Sequence, residues 1–519
     1  MSRRVQCYYQ VTILVSLFSP SSGKTPDDRA FHDNRAETKN LTRLSCDVVI
    51  VGGGISGMYM AETLLRLRKE TNVCLFERSD RFGGRIRDHT FQRVPNIPVS
   101  LGAWRIDESN TLAWEIINRF NIPYQSILTR GKQIRDRMEA RGVFATTTSE
   151  LQHKAFPTLS QGRFQNATYK DMISYLITKQ SEAIKFPSLS AFYAHYWTPE
   201  GQEFFNSLTG FIQDFSRMPN AETFSERLQS TGDFKRVFSR PEKRISALTD
   251  ALKNSAIKHG AKTYKNEEVK VIDEVQRNNY ALKTTNFQVT AKKLVLAVPA
   301  QALEKITGSL ADKIKENCIF NSVGFEVAFK GFALYEKAWW ESRSAGSRRL
   351  RDEQEFLSNS DCLGCTFPYS GRGPIGEAVL RTCYAKLNCA VKWGELLKIS
   401  KQNTDQEIHE ALKRLFPGVH IPKPLETVYY YWENGFEHMQ RAGTHISVST
   451  VSDWAKRPFP AQDVFIVGEA YNPLRGWVEG ALRSARNALQ EGWHTNLDDS
   501  WRTKKLQPDI ENYFDLSLY

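Results

Sequence analysis

The sequence predicts an α/β fold. Three consecutive features of the 519-residue chain carry that expectation: a β-branched strand, a glycine-rich turn, and a helix that leads into another strand. Cys46–Asp47–Val48–Val49–Ile50–Val51 is a short apolar run of the kind buried in parallel sheets. From Met58 to Lys69, the residues Met58, Ala61, Leu64, Leu65 and Leu67 give a helical apolar face. Asn72 to Glu77 closes the unit as a second strand. Further on, Arg244 to His259 reads as an amphipathic helix, and Glu268 to Val275 and Tyr280 to Thr290 as strands. Leu294 to Val298 is a buried strand stopped by Pro299. Residues 108–235 read as mainly helical, with Leu112 to Phe120 and Thr168 to Lys179 the clearest segments. The stretch 320–450 alternates strand and helix signals. Val464 to Gly468 is the last strand, and a helix runs from Val478 to about Glu491.

The turn itself carries chemistry. Gly52, Gly54 and Gly57, with Ile55 and Ser56 between the last two, satisfy Gly-x-Gly-x-x-Gly. The first glycine permits the tight turn, the second lets a pyrophosphate approach the backbone, and the third lets helix and strand pack closely. Amides at the new helix's N-terminus then face phosphate charge. Glu77 lies 20 residues beyond Gly57, at the end of the second strand, where a carboxylate can accept hydrogen bonds from ribose hydroxyls. A ligand-free glycine turn would not account for Glu77, so dinucleotide binding is expected.

Arg81–Phe82–Gly83–Gly84–Arg85 follows, with paired glycines and a guanidinium suited to phosphate oxygens. At this point the chain resembles the FAD-dependent amine oxidase family, whose members continue from the ribose acid into Arg-x-Gly-Gly-Arg. The resemblance implies noncovalent FAD, and a two-dinucleotide-binding-domain-type flavoprotein. Such a protein has a Rossmann-like FAD domain, a mixed-sheet substrate domain and a helical insertion. Val464 to Glu469 resembles the family's second flavin segment, with Gly468 and Glu469 near the ribityl and phosphate region. Gly476–Trp477–Val478–Glu479–Gly480–Ala481 resembles the closing motif that starts a helix aimed at the flavin ring. Val269 matches the position that meets adenine through its backbone, and Arg78 extends the ribose-binding end. These matches imply FAD-binding parts at 45–107, 236–320 and 446–495, a mainly helical domain at 108–235 and a substrate domain at 321–445.

Within the family, Leu101–Gly102–Ala103–Trp104–Arg105–Ile106 is closest in pattern to secreted L-amino-acid oxidases of the venom and mollusc-secretion type. Those carry an arginine here that holds the substrate α-carboxylate, and Arg105 supplies the planar fork for it. The competing reading is a structural ion pair. The resemblance also places Gly102, Ala103, Trp104 and Arg105 beside the cofactor. Lys330, ahead of Trp339–Trp340, matches the lysine that binds a water near flavin N5; otherwise it is an ordinary strand lysine. Trp477 would form one side of an aromatic slot, with Tyr369 favoured over Phe367 as its companion. One segment departs from the family: Glu433 to Arg441 stands where relatives carry a glycine-rich turn after the aromatic near Trp432, which alters the substrate pocket's wall. In that segment His438 reads as a structural histidine before a base. The implied reaction is oxidation of an L-amino acid to a 2-oxo acid, ammonia and hydrogen peroxide by dioxygen. The alternatives are an amine or polyamine oxidase, and an FAD-retaining binding protein with little turnover. Relatives are often homodimers.

Composition narrows the rest. Lys and Arg total 70 against 58 Asp and Glu, a net +12, but the basic residues are intermixed with acids, so no nucleic-acid partner is expected. Met1–Ser2–Arg3–Arg4 and the apolar Val11 to Phe18 resemble a secretory signal peptide over 1–23, too short to span a bilayer, followed by a polar linker over 24–44. The tail is 496–519. Sequons at Asn40 and Asn166 are compatible with export. Of the 8 cysteines, Cys362 and Cys365 have half a zinc site's spacing without a second pair. No metal is therefore expected, and a disulfide, with Cys383–Cys389 as the suggested pair, is the preferred use of cysteine.

Overall fold

The computed structural model describes residues 41–126, 137–209 apart from 160–163, 166, 168–170, 173, 174 and 177, 238–441 apart from 353 and 359, and 443–497. The expected leader, most of the linker, both sequon asparagines, most of the tail and part of the helical stretch lie outside these residues. The chain is α/β. Its positioning elements are β1 (Thr42–Val51), α1 (Ile55–Arg66), β2 (Val73–Phe76), α2 (Thr111–Arg119), β3 (Phe287–Leu296), β4 (Val323–Tyr335), β5 (Ala378–Lys386), β6 (Glu426–Gln440), β7 (Val464–Ile466) and α3 (Val478–Asn487).

The first sheet is built on β1, which pairs in parallel with β2 on one side and β3 on the other. Lys262–Tyr264 extends it in parallel beyond β2, and β7 pairs in parallel with β3. Asn279–Lys283 and Val271–Gln276 add an antiparallel edge. Both faces are covered, which is why β1 and β2 read as unbroken apolar runs. Almost every residue of α1 is buried, against Leu248 and Leu252 of Ala247–Lys258 and Leu482 and Ala485 of α3. A helix apolar all round belongs inside. Its one carboxylate there, Glu62, is fully buried and is held by Arg66 at 2.9 Å and Arg119 at 3.2 Å.

The second sheet runs in the order β6, β4, β5, Gly364–Pro368, Phe356–Ser358, Arg137–Ala140, Val143–Ala145. Its last two strands come from the stretch expected to be mainly helical. A small third sheet joins Ile106–Asp107 and Tyr124–Ser126 to Phe238–Pro241.

Several boundaries move. The first strand starts at Thr42, inside the expected linker, and α1 starts at Ile55, three residues before Met58. The strands expected at Tyr280 to Thr290 and Leu294 to Val298 become Asn279–Lys283 and one long β3. The turn between them is pinned by buried Glu267, which accepts from Thr284 Oγ1 at 2.7 Å and Asn286 N at 3.0 Å. Val269 precedes Val271–Gln276 and is buried, rather than lying within that strand.

The suggested Cys383–Cys389 disulfide is incorrect. Among the described residues, bridges join Cys46 to Cys74, between β1 and β2, and Cys362 to Cys389. A strand-to-helix turn with Leu387 at φ 52° separates Cys383 from Cys389. Cys389, on Leu387–Ile399, meets Cys362 instead, and Cys383 stays a buried thiol, as does Cys365.

Candidate functional site

At the end of β1, Gly52 adopts φ 105°, and a Cβ on it would lie 2.4 Å from the Ala297 carbonyl. A Cβ on Gly57 would lie 2.1 Å from the Gly52 carbonyl, so the first and third glycines are enforced by backbone packing. Gly54 differs: a Cβ there would meet nothing within 4 Å. That open space lies at the N-cap of α1, which has no side-chain cap and no acid in its first turn. Uncapped amides facing open space are an anion cradle, and the fit to a dinucleotide pyrophosphate is direct. Ile55 and Ser56 begin the helix. Gly83 N donates to Gly53 O at 2.8 Å, and this bond folds Arg81 to Arg85 over the turn. Glu77 ends β2 half-buried and accepts from Gly53 N at 2.8 Å and from Ser79 N and Oγ at 2.9 and 2.7 Å. Ser79, which sequence reasoning missed, is what aims that carboxylate. Arg78, beside it, is exposed.

The second cluster joins distant segments. Arg85 pairs with Glu469 and donates to the Phe436 carbonyl at 3.2 Å. Glu469 also accepts from Gly476 N at 2.9 Å, which ties the segment after Gly468 to the closing motif. His438 is fully buried, with Nδ1 against Glu469 and Nε2 2.9 Å from Gln301 Oε1. Burial lowers its pKa, so the ring is neutral, donates from Nδ1 to Glu469 and leaves Nε2 an acceptor. Turning the Gln301 amide satisfies both groups, since Gln301 Nε2 otherwise has no partner. Burial opposes ionisation of Glu469, but Arg85 and His438 outweigh it and hold the carboxyl well below its ordinary range. Val478 opens α3 buried. Glu479, fully buried, accepts from Leu112 N at 3.0 Å and Ala113 N at 3.1 Å, capping α2.

The third cluster faces the second sheet. Ala103 N donates to Arg85 O at 3.0 Å, and the Gly102 carbonyl accepts from Lys330 Nζ at 2.6 Å. A side chain on Gly102 would strike the Arg85 carbonyl at 1.8 Å. Lys330 is buried, with Nζ 4.4 Å from the Tyr384 ring and 5.1 Å from the Phe436 ring. Burial first, then the charge of Arg381, drives its pKa well below the ordinary lysine value. The Arg105 guanidinium lies 4.0 Å from the Phe238 ring centroid and 5.2 Å from that of Trp104. Phe238 in turn stacks on Trp477 at 6.2 Å. Tyr369 contacts Trp104, Phe332 and Phe367 and is almost wholly buried. Trp477 and Tyr369 thus belong to different ring clusters, and Phe238, unnoticed in the sequence, connects Trp477 to Arg105. A separate cavity of about 240 Å³ is lined by Ser100, Arg240, Glu242, Lys243, Arg244 and Ser370.

The departing segment explains part of this arrangement. On β6, Glu437 pairs with Glu326 and Trp432 with Ala328, so Glu433 to Phe436 stand opposite Val327 alone. This wide bulge, with Gly435 at φ 93°, brings the Phe436 ring to Lys330 and its carbonyl to Arg85.

Comparison with known proteins agrees with this layout. Aplysianin-A of Aplysia kurodai is 23% identical over 86% of this chain and 90% of its own length. Achacin of Lissachatina fulica is 23% identical over 86% and 93%. Tryptophan 2-monooxygenase of Agrobacterium tumefaciens is 31% identical over 18% of this chain. The fold of wild-type putrescine oxidase bound to putrescine superposes with a TM-score of 0.62 at 16% identity, covering 86% of this chain and 99% of that one. The sequence model described as flavin containing amine oxidoreductase matches residues 55–491. The chain belongs to the flavin-containing amine oxidoreductase family and is an FAD-dependent oxidoreductase acting on CH–NH2 groups.

Proposed function

We propose that this flavin-dependent amine oxidation acts on L-amino acids. The observation that carries the reading is Arg105, whose guanidinium lies over Phe238 and Trp104 on the segment that also supplies the carbonyl bound by Lys330. Its planar fork matches a carboxylate bidentately, and the flanking rings cover part of the half-buried guanidinium. Arg105 binds the α-carboxylate and so fixes the substrate's orientation, which is where much of the rate arises. Phe238 and Trp477 hold the side chain, while Tyr369 backs Trp104. On the cofactor side, Gly52, Gly54 and Gly57 admit the pyrophosphate, Glu77 and Arg78 the ribose, and Val269 the adenine. Arg85 and Glu469 serve the ribityl and phosphate region.

Bound FAD would supply the redox chemistry, a two-electron oxidation of the Cα–N bond with dioxygen as final acceptor and hydrogen peroxide as product. The released imino acid hydrolyses to a 2-oxo acid and ammonia. Lys330, whose protonation burial and Arg381 disfavour, is the proton-handling group of the chamber. Tryptophan 2-monooxygenase, named for an amino-acid substrate, supports the amino-acid reading, whereas the putrescine-bound fold neighbour is named for a diamine. Export is part of the proposal and is supported by two disulfides among the described residues. A peroxide-producing defence role would follow from export.

The test is peroxide release by the purified holoenzyme with a panel of L-amino acids and the matching simple amines. Release with amino acids only is expected, and Arg105→Ala should raise KM for them by about a hundredfold, the loss of a bidentate charged pair. Turnover of amines alone would move the protein to the amine oxidases and return Arg105 to a structural role. Flavin without peroxide from either class would leave an FAD-retaining binding protein.

A further inference from the structure

Strand β5 carries one residue more than the stretch of β4 it pairs with. Lys330 faces Tyr384 and Gly331 faces Cys383, but Phe332 faces Arg381, so Thr382 is the extra residue. In a regular strand, residues three apart point to opposite faces. One inserted residue reverses that and re-aims the chain beyond it. Arg381 therefore joins Tyr384 on the face that Lys330 and Phe332 share.

The side chains agree with the register. The Arg381 guanidinium lies 5.4 Å from the centroid of the Tyr384 ring, and Lys330 Nζ lies 4.4 Å from the same centroid. Arg381 is 2% exposed. It is anchored by Glu355 at 3.3 Å and by the carbonyl and sulfur of Cys365 at 3.3 and 2.9 Å. Its guanidinium also lies 5.1 Å from the Trp104 ring and 4.9 Å from the Phe367 ring. A buried guanidinium so anchored keeps its charge. The other charged groups that act on Lys330 are Arg105 on its loop, Lys386 on β5 and Glu437 on β6; Glu437 alone among these favours protonation.

We propose that Arg381 is a positioning residue for Lys330. The guanidinium that the Thr382 bulge turns onto this face adds like-charge repulsion to the burial that already disfavours a proton on Lys330, which therefore meets the substrate as a neutral amine. An incoming ammonium then transfers its proton. The substrate N–H bond breaks, a new N–H bond forms on Nζ, and the electron pair stays on the substrate nitrogen. Total charge in the chamber is unchanged, and repulsion from Arg381 favours the later return of that proton to solvent. This inference rests on the amino-acid-oxidase reading of the chamber.

The experiment is a pH titration of holoenzyme labelled with ε-13C lysine, the Lys330 resonance being assigned by its absence in Lys330→Met. Two like charges within a shared buried ring cluster change proton affinity by roughly tenfold at an effective dielectric of about 20. Arg381→Met should raise the proton affinity of Lys330 by about that factor, and Arg381→Lys should leave it near the native value. The acid limb of the kcat/KM profile should move to higher pH with it. A native titration midpoint in Arg381→Met overturns the proposal even where activity falls, because a merely structural arginine moves stability and not this midpoint. Should Arg381→Met not fold, Arg381→Met/Glu355→Leu removes the buried pair together and should still raise the proton affinity of Lys330, by less, because the nearer cation and its carboxylate leave together. Failure of the underlying reading looks different: the native holoenzyme would then release no peroxide from L-amino acids, whatever the midpoint of Lys330.

Discussion

The two sheets treat charge in opposite ways. Around the first sheet the ionised groups that shape the site are carboxylates, and each is spent on backbone. Glu77 accepts from Gly53 and Ser79, Glu469 from Gly476 as well as Arg85, and Glu479 from Leu112 and Ala113. Facing the second sheet the groups are cations. Lys330 meets a carbonyl and two rings, Arg105 lies over two rings, and Arg381 is shared between Glu355 and three rings. An acid bonded to amides fixes a loop's shape, whereas a cation over aromatic faces keeps its field for something that enters. The first half is scaffold for a large anionic cofactor. The second half gathers positive charge among aromatic rings.

Mutations sharpen that contrast in descending order of effect. Gly57→Ala should abolish flavin retention, read as the ratio of 450-nm to 280-nm absorbance, because its Cβ meets the Gly52 carbonyl at 2.1 Å. Gly54→Ala has open space and should leave the melting temperature of the apoprotein native while weakening FAD binding. Equal melting losses in both would refute the cradle. Next, Glu469→Ala breaks a buried ionic cluster and should cost about 3–5 kcal/mol in denaturant unfolding near neutral pH. The sign follows from the depressed folded pKa of Glu469. The stabilisation is present above the ordinary carboxylate range and fades as pH falls below about 4, so the variant's deficit should shrink there.

Lys330→Met should act in the other direction. The folded pKa of Lys330 is lowered, so the unfolded chain binds a proton that the native state lacks over the window below the ordinary lysine value of 10.5. The variant should therefore be more stable than native at neutral pH, read as a higher denaturant midpoint. The gain should vanish as pH rises through about 10.5. A variant less stable than native at pH 7 would mean that Lys330 sits charged and paired. Smallest of all, Cys383→Ala removes a buried thiol outside either bridge and should cost about 1 kcal/mol. Peptide mapping should show Cys362 joined to Cys389 in native and variant alike.

The nucleotide half was legible because its signals are local. Gly52, Gly54, Gly57 and Glu77 sit within one strand–turn–helix–strand unit, and their spacing is set by that unit's geometry. The family resemblance led directly to Arg85, Glu469 and Lys330, and to FAD. What the sequence hid depends on register. Nothing near Thr382 signals an extra residue, so Arg381 could not be placed on the face of Lys330. Phe238 reaches Arg105 only through a three-stranded sheet of short, non-consecutive strands. His438 reads as structural before catalytic, and its partners Glu469 and Gln301 lie far off in the chain. The cysteine pairing failed for a related reason: proximity in sequence favoured Cys383, whereas the helix after β5 carries Cys389 to Cys362.

The loop-out at Glu433 to Phe436 sits between two correctly matched stretches of β4 and β6. Its length is therefore decoupled from the alignment of the strands on either side. Residues can be added to or removed from it while Lys330, Trp432 and His438 keep their places. A change in this one short stretch therefore acts on the site through Phe436, whose ring meets Lys330 and whose carbonyl meets Arg85, without shifting the strands that carry them.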